Sequence, residues 1–203
     1  MNAPPTRFGR RKLLSQLANA LVDSAGRTLG PAEPFHEWPR PPGALDEPDF
    51  LAKCTRCDAC VDACPHQAIG KLPKSAGGAA GTPAMNVVAR PCHLCEDLPC
   101  ITACEPAALE PIAVAELYFG EAQIDKSRCF TFMGPECGAC NVCPPTMPEG
   151  AALTFSLGKP QIDTELCTGC GLCRDACPVY GKAITIEPRG GRPQRPRRSQ
   201  PEA

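Results

Sequence analysis

Apolar residues in this chain come in short runs, and only one stretch keeps a helical period. Leu13, Leu14, Leu17 and Leu21 share one face after the basic cluster Arg7, Arg10, Arg11 and Lys12, which predicts an amphipathic helix over 13–25. Four short runs read as strands: Ala122–Asp125, Ala151–Phe155, Pro160–Asp163 and Ala183–Ile186. Two of them repeat. Ala122-Gln123-Ile124-Asp125 leads into Cys129, and Pro160-Gln161-Ile162-Asp163 leads into Cys167. Strand, cysteine loop, helical turn, strand is thus the recurring unit.

The polar and Pro-rich stretches divide the chain. Residues 1–12 read as a disordered basic start, 13–49 as the helix and a Pro-rich linker, 50–187 as the cysteine-bearing body, and 188–203 as a disordered Arg/Pro-rich tail. The linker, 28–48, carries the sole Trp, Trp38, and reads as extended chain laid over the surface. Ser75 to Gly81 is a run of small residues. No strand is expected before it and no Gly-Lys-Ser/Thr follows, so it reads as a flexible connection rather than a phosphate cradle.

Composition sharpens the picture. Aromatics are 5% of the 203 residues, against 25 Pro, 18 Gly and 16 Cys. Such a chain is poor in ordinary core residues, so something bound to the cysteines is expected to stand in for core, leaving the unloaded chain poorly folded. The net charge of −1 conceals two basic ends of +4 each, over 1–12 and 189–203, around a stretch 13–188 of −9. An acidic body suits docking to basic redox partners. No run of apolar residues is long enough for a membrane-spanning helix, and no nucleic-acid partner is expected from an Arg-rich end alone. Arg10-Arg11-Lys12-Leu13-Leu14 looks like a twin-arginine export signal. The stretch after it is interrupted by Gln16, Asn19, Asp23 and Arg27, which favours cytoplasmic residence, with periplasmic export by that route as the alternative.

The chemistry lies in four groups of four cysteines with none left over. Disulfide scaffolds spread their cysteines; cysteines this close in sequence belong to ligand loops. Group one is Cys54, Cys57, Cys60 and Cys64 with Pro65; group four is Cys167, Cys170, Cys173 and Cys177 with Pro178. Both have the C-x2-C-x2-C-x3-C-P spacing of a bacterial ferredoxin, in which three thiolates wrap one cube and the fourth ligates the cube of the partner half. Group two is Cys92, Cys95, Cys100 and Cys104, its middle gap widened by two residues. Group three is Cys129, Cys137, Cys140 and Cys143 with Pro144, the least regular, with a long first gap and a short last one; a three-iron centre is the alternative there. Sixteen ligands imply four 4Fe–4S clusters, and a structural zinc module is the lesser alternative. The fold class expected is α+β: two bacterial-ferredoxin-like dicluster units of short strands, short helices and many loops, plus the N-terminal amphipathic helix. Among His36, His66 and His93, only His93 lies inside a ligand loop, and with four cysteines present it is expected behind the ligands or on the surface rather than on the metal. No acid–base or nucleophile arrangement marks a substrate site, so the chain reads as an electron carrier and not an enzyme.

These residues resemble a known family. Arg40-Pro41-Pro42-Gly43-Ala44-Leu45, Ala80-Gly81-Thr82-Pro83 and Ala89-Arg90-Pro91-Cys92-His93-Leu94-Cys95-Glu96-Asp97-Leu98-Pro99-Cys100 look like the NapG/MauM ferredoxin-type proteins, encoded with periplasmic nitrate reductase and methylamine dehydrogenase. Cys54-Thr55-Arg56-Cys57-Asp58-Ala59-Cys60 resembles the related NapF proteins. The likeness covers about 38–187. It implies an electron relay beside a respiratory or periplasmic redox enzyme, with a nitrate-reductase-like or quinol-linked partner; the alternative is an assembly factor for a metalloenzyme such as a molybdenum reductase. Group two also resembles the inner pair of the four-cluster subunits of molybdenum oxidoreductases. That likeness implies a nested pairing. The inner cubes would take Cys92, Cys95, Cys100 with Cys143, and Cys129, Cys137, Cys140 with Cys104. The outer ones would take Cys54, Cys57, Cys60 with Cys177, and Cys167, Cys170, Cys173 with Cys64. The repeated Gln-Ile-Asp strands favour the rival sequential pairing, one with two and three with four.

Overall fold

The structure is a computed structural model that describes residues 38–144, 151–191 and 193–194. The expected basic start, the amphipathic helix over 13–25 and His36 lie outside the described residues. Those that are described fall within one compact unit, 34–203. Among them, no helix is long and apolar enough to cross a membrane.

Helix α1, Glu47–Lys53, is the longest α-helix described. It has Pro48 at its second position, carries Glu47 and Asp49 in its first turn and Lys53 in its last, and so complements its own dipole at both ends. Its inner face buries Phe50 completely, and it ends where the chain enters the first ligand loop at Cys54. Three single-turn helices follow the same plan: α2 (Ala59–Asp62), α3 (Pro99–Thr102) and, near the end, α5 (Leu172–Asp175). Each is preceded by a residue in the left-handed region, Asp58, Leu98 or Gly171, and each carries a buried cysteine at its second position, Cys60, Cys100 or Cys173. Helix α4, Phe130–Met133, fills the long gap after Cys129 and stops at Gly134.

Among the described residues six short strands pair in twos. β1 (Ile69–Lys71) lies antiparallel to β2 (Pro83–Met85). β3 (Gly120–Ile124) pairs with β6 (Ile184–Pro188), Ala122 opposite Ile186. β4 (Leu153–Ser156) and β5 (Lys159–Ile162) form a hairpin. Its tip, Leu157-Gly158, has both residues at positive φ, the backbone of a type I′ turn whose twist matches the flanking strands. All four expected strands are present within a residue or two of their expected ends. β1 and β2 were not expected: Ile69-Gly70-Lys71 is too short to show alternation, and Pro83 argues against a strand unless it lies at an edge.

Two expectations about the connections are corrected. The Pro-rich segment does not lie on the surface where it is described. Pro39, Arg40, Pro41, Pro42 and Ala44 are buried, held by the Met85 N–H donating to the Pro39 carbonyl and the Ala44–Leu109 bridge. Pro supplies apolar surface without a donor needing a partner, so it packs here as core. The small-residue run is likewise ordered: Lys74–Ala79 is a 3₁₀ segment kinked at Gly77, with Ala76 and Ala79 buried against Leu72 and Ala84. The tail boundary also moves. Arg189 donates its N–H to the Phe119 carbonyl, Pro193 is fully buried, and Gly191 bridges to Pro39.

Arg40 is the buried cation of the fold, 1% exposed. Its guanidinium meets both carboxylate oxygens of Glu47, donates to Thr82 Oγ1 and the Pro83 carbonyl at 2.8 Å each, and lies 4.7 Å above the Phe50 ring. One side chain thus ties the Pro-rich segment to α1 and to the start of β2. In the larger of the two core clusters described, Phe50, Met85, Val87, Leu94, Leu117 and Phe119 are interspersed with buried cysteines.

Candidate metal centres

The sixteen cysteines converge on four cavities, and none is in a disulfide. The first cavity is lined by Cys54, Cys57, Cys60 and Cys104, with Phe50 and Pro83 behind them. The second is lined by Cys64, Cys92, Cys95 and Cys100, the third by Cys129, Cys137, Cys140 and Cys177, and the fourth by Cys143, Cys167, Cys170 and Cys173. Every group therefore gives three thiols to one cavity and its remaining one to a neighbour. In groups one, two and four the donated thiol is the last, carried on the turn after α2, α3 or α5. Group three donates Cys143, and its short final gap still reaches. The long first gap costs no ligand either, because α4 spans it, so the third cavity has a complete four-thiol set.

The nested pairing is overturned. Cys64 lies with Cys92, Cys95 and Cys100, not with Cys167, Cys170 and Cys173; Cys177 lies with Cys129, Cys137 and Cys140, not with Cys54, Cys57 and Cys60. Cys143 and Cys104 depart from the nested sets in the same way. The reason is local. The β1–β2 pair turns the chain back between groups one and two, bringing α2 against α3, and the β4–β5 hairpin does the same between groups three and four. A short return is a cheaper closure than bringing the two ends of the chain together around an inner pair.

The loops are shaped for anions. Arg56 and Asp58 flank Cys57 with positive φ, as Gly169 and Gly171 flank Cys170; Leu94 does so before Cys95. In group two the matching residue after the second cysteine is displaced to Leu98 by the extra Glu96 and Asp97, and the helix start is preserved. Such left-handed residues turn successive N–H groups inward as a nest. The N–H groups of Ala68, Gly169 and Ala183 point to the sulfurs of Cys64, Cys167 and Cys177 at 3.3, 3.4 and 3.4 Å. Thr131 Oγ1 stands 3.3 Å from Cys129 Sγ.

Without metal the most buried of these thiols are held neutral. Burial, reinforced by neighbouring cysteines, pushes Cys60 and Cys100 up to about 12, and burial pushes Cys140 and Cys170 up to about 11; Cys92 and Cys173 are raised too. Only a strongly cationic centre would draw four thiolates into such a pocket. Among the described residues no three His, Cys, Asp or Glu side chains are grouped to hold a single ion. Thiols ringed around a cavity rather than gathered on a point fit a polynuclear cluster and not a lone zinc. Beside the second cavity, His66 and His93 stack at 3.5 Å between ring centroids, 7° from parallel. Burial and the neighbouring imidazole hold His93 below its usual pKa. The sequence placed His93 beside a metal loop but gave no sign of this pairing.

Four cysteine quartets, exchanged in twos across ferredoxin-type loops, define the class: an iron–sulfur protein of ferredoxin type. The 4Fe–4S dicluster domain family matches residues 53–108, spanning groups one and two together, and the 4Fe–4S binding domain family matches 160–180. The sixteen cysteines fit four 4Fe–4S clusters. The methylamine utilization ferredoxin-type protein MauM of Methylobacillus flagellatus is 35% identical over 74% of this chain and 68% of its own length. MauM of Methylophilus methylotrophus is 34% identical over 92% and 88%, and the ferredoxin-type protein NapG of Escherichia coli 34% over 73% and 70%. The chain belongs to the NapG/MauM family of ferredoxin-type proteins. It is an electron-transfer protein rather than an enzyme with its own substrate site.

Proposed function

We propose that this chain relays electrons between redox proteins through four 4Fe–4S clusters arranged as two bacterial-ferredoxin-like dicluster units. The first unit holds Cys54, Cys57, Cys60 with Cys104, and Cys64 with Cys92, Cys95, Cys100. The second holds Cys129, Cys137, Cys140 with Cys177, and Cys143 with Cys167, Cys170, Cys173. The observation that carries this reading is the reciprocal exchange of one thiol within each pair of groups, which serves no purpose in four separate metal sites. When bound, such clusters supply one-electron chemistry; the protein sets their potentials through burial and N–H groups aimed at sulfur. The partner we infer is a respiratory or periplasmic-type oxidoreductase, nitrate-reductase-like or quinol-linked, as the family's genomic company implies. Cytoplasmic residence is part of the proposal, resting on the polar residues after Arg10-Arg11; twin-arginine-dependent export of a reporter fused to residues 1–30 would count against it.

Anaerobic purification with metal and sulfide analysis tests the core of the reading. About 16 iron atoms and as many acid-labile sulfides per chain are expected. Zinc in their place refutes it. Reversible reduction with iron retained supports a relay, whereas loss of iron to an immature metalloenzyme would support an assembly factor.

A further inference from the structure

The loops of the second and fourth cavities tie the two units together. The Cys92 N–H donates to the Cys170 carbonyl at 2.9 Å, so the loop that wraps the second cavity is bonded directly to the loop that wraps the fourth. Leu94, from the group-two loop, lines the fourth cavity beside Cys143, Cys167, Cys170 and Cys173. Arg174, on α5, adds a second tie: its Nε donates to the Val88 carbonyl at 3.2 Å and its Nη1 to the Ile184 carbonyl at 2.7 Å. The approach is so close that Gly171 has no room for a side chain. A Cβ there would stand 2.1 Å from the Val87 carbonyl oxygen and 3.5 Å from Pro91 Cα. Gly171 also has φ +90, a backbone other residues rarely take.

The remaining neighbours fix an order. The first and second cavities adjoin through α2 against α3. The third and fourth are joined by the Cys140–Cys143 loop and by α5, which runs from Cys173 toward Cys177. Among the described residues no two cavities share a lining residue, and no backbone hydrogen bond like that from Cys92 to Cys170 joins the loops of the first and third. Each of the two has a way out. Cys57 is exposed at the first, and the third abuts an open cleft of about 520 Å³ at Cys137, lined by Thr131, Glu136, Phe155 and Leu157.

We infer that the four centres form a single row in the order first, second, fourth, third, with the Cys92–Cys170 hydrogen bond over Gly171 as the junction between units and the first and third centres as the two ends. The inference rests on the relay reading. One electron enters at one end from a reduced redox protein and leaves at the other to an oxidised one, with no bond made or broken in the chain. Gly171 is then a positioning residue: it binds no metal and sets how near the second centre comes to the fourth. The order does not follow the order of the cysteine groups along the sequence.

Paramagnetic resonance of the fully reduced, iron-loaded protein tests the order. Magnetic splitting between the second and fourth centres is expected, and Gly171→Ala should remove it while iron content and the signals of the separate centres stay. Gly70→Ala, where a Cβ meets nothing within 4 Å, should leave the splitting intact. Cys57→Ser and Cys137→Ser provide a second measurement that does not depend on Gly171→Ala folding. Each removes an end centre and should leave the inner splitting in place. Splitting between the two units that disappears when an end centre is removed overturns the order, as does splitting that survives Gly171→Ala. Iron far below 16 per chain in the unmutated protein would instead overturn the relay reading itself.

Discussion

Replacing Arg40 by Met should loosen the first metal centre without touching a ligand. The guanidinium is fully buried and makes five contacts: two with the Glu47 carboxylate, one each with Thr82 Oγ1 and the Pro83 carbonyl, and one with the Phe50 ring. Removing one partner of a buried pair costs about 3–5 kcal/mol, because the other charge stays behind unpaired. Glu47 is 14% exposed, so water relieves part of that, and the low end, about 3 kcal/mol, is the better value. The loss falls on α1 and β2, whose Phe50 and Pro83 wall the first cavity. Loss of a cluster is irreversible in practice, so the assay is a rate: bleaching of visible absorbance in denaturant under anaerobic conditions. If α1 must detach before the cluster leaves, the rate for Arg40→Met should rise by about a hundredfold, since about 1.4 kcal/mol is a factor of ten. Arg40→Met combined with Glu47→Met should recover much of the loss, because no buried charge is then stranded. A single variant that bleaches at the parent rate, or a double variant worse than the single, would refute this account of the site.

Three further outcomes follow. Cys104→Ser should abolish the centre built on Cys54, Cys57 and Cys60, and Cys177→Ser the one built on Cys129, Cys137 and Cys140, each lowering iron by about four atoms per chain; the nested arrangement would give the reverse assignment in resonance spectra. Leu157→Asn should stabilise the β4–β5 hairpin by about 1 kcal/mol in thermal unfolding, because Leu157 sits at φ 50, where Asn is better tolerated. Loading the chain with iron and sulfide should release protons and tighten as pH rises from neutral. The empty cavities hold Cys60 and Cys100 protonated up to about 12, whereas the loaded ones need thiolates, and calorimetry in buffers of different ionisation enthalpy would show it; a loading reaction that releases no protons would count against neutral thiols in the cavities.

How much of this was legible in the sequence varied with the kind of question. Cysteine spacing named the sixteen side chains that line the four cavities, because a ligand loop is local and its spacing is its geometry. Spacing says nothing of which loop lends its last thiol to which. That was settled by β1 and β2, two three-residue strands without readable alternation, and the resemblance of group two to an inner pair pointed the wrong way. The Gln-Ile-Asp repeat did carry the right pairing: its first copy, in β3, pairs with β6 after group four, and its second, in β5, pairs with β4 after group three. The Pro-rich segment was misread for a related reason. Pro in a sequence marks a break in regular structure, which is true of 38–45, but a break can be buried, and Arg40 looked like one more surface charge until Glu47, Thr82 and Pro83 were seen around it. Gly171 was invisible, since its role depends on a carbonyl at Val87, far away in the chain.

The local exchange of thiols bears on how the protein is made. Every ligand of the first two centres lies between Cys54 and Cys104, so that whole donor set is synthesised before β3. Chains emerge from the N-terminal side and their units fold as they appear, so the first unit can be filled while the second is still being translated. A nested arrangement would have kept Cys54, Cys57 and Cys60 waiting, exposed to oxidation, for Cys177. The last contacts to form are then those of residues 189–194, whose bonds to Pro39, Arg40, Tyr118 and Phe119 reach across both units. The tail fastens the finished pair rather than building either member of it.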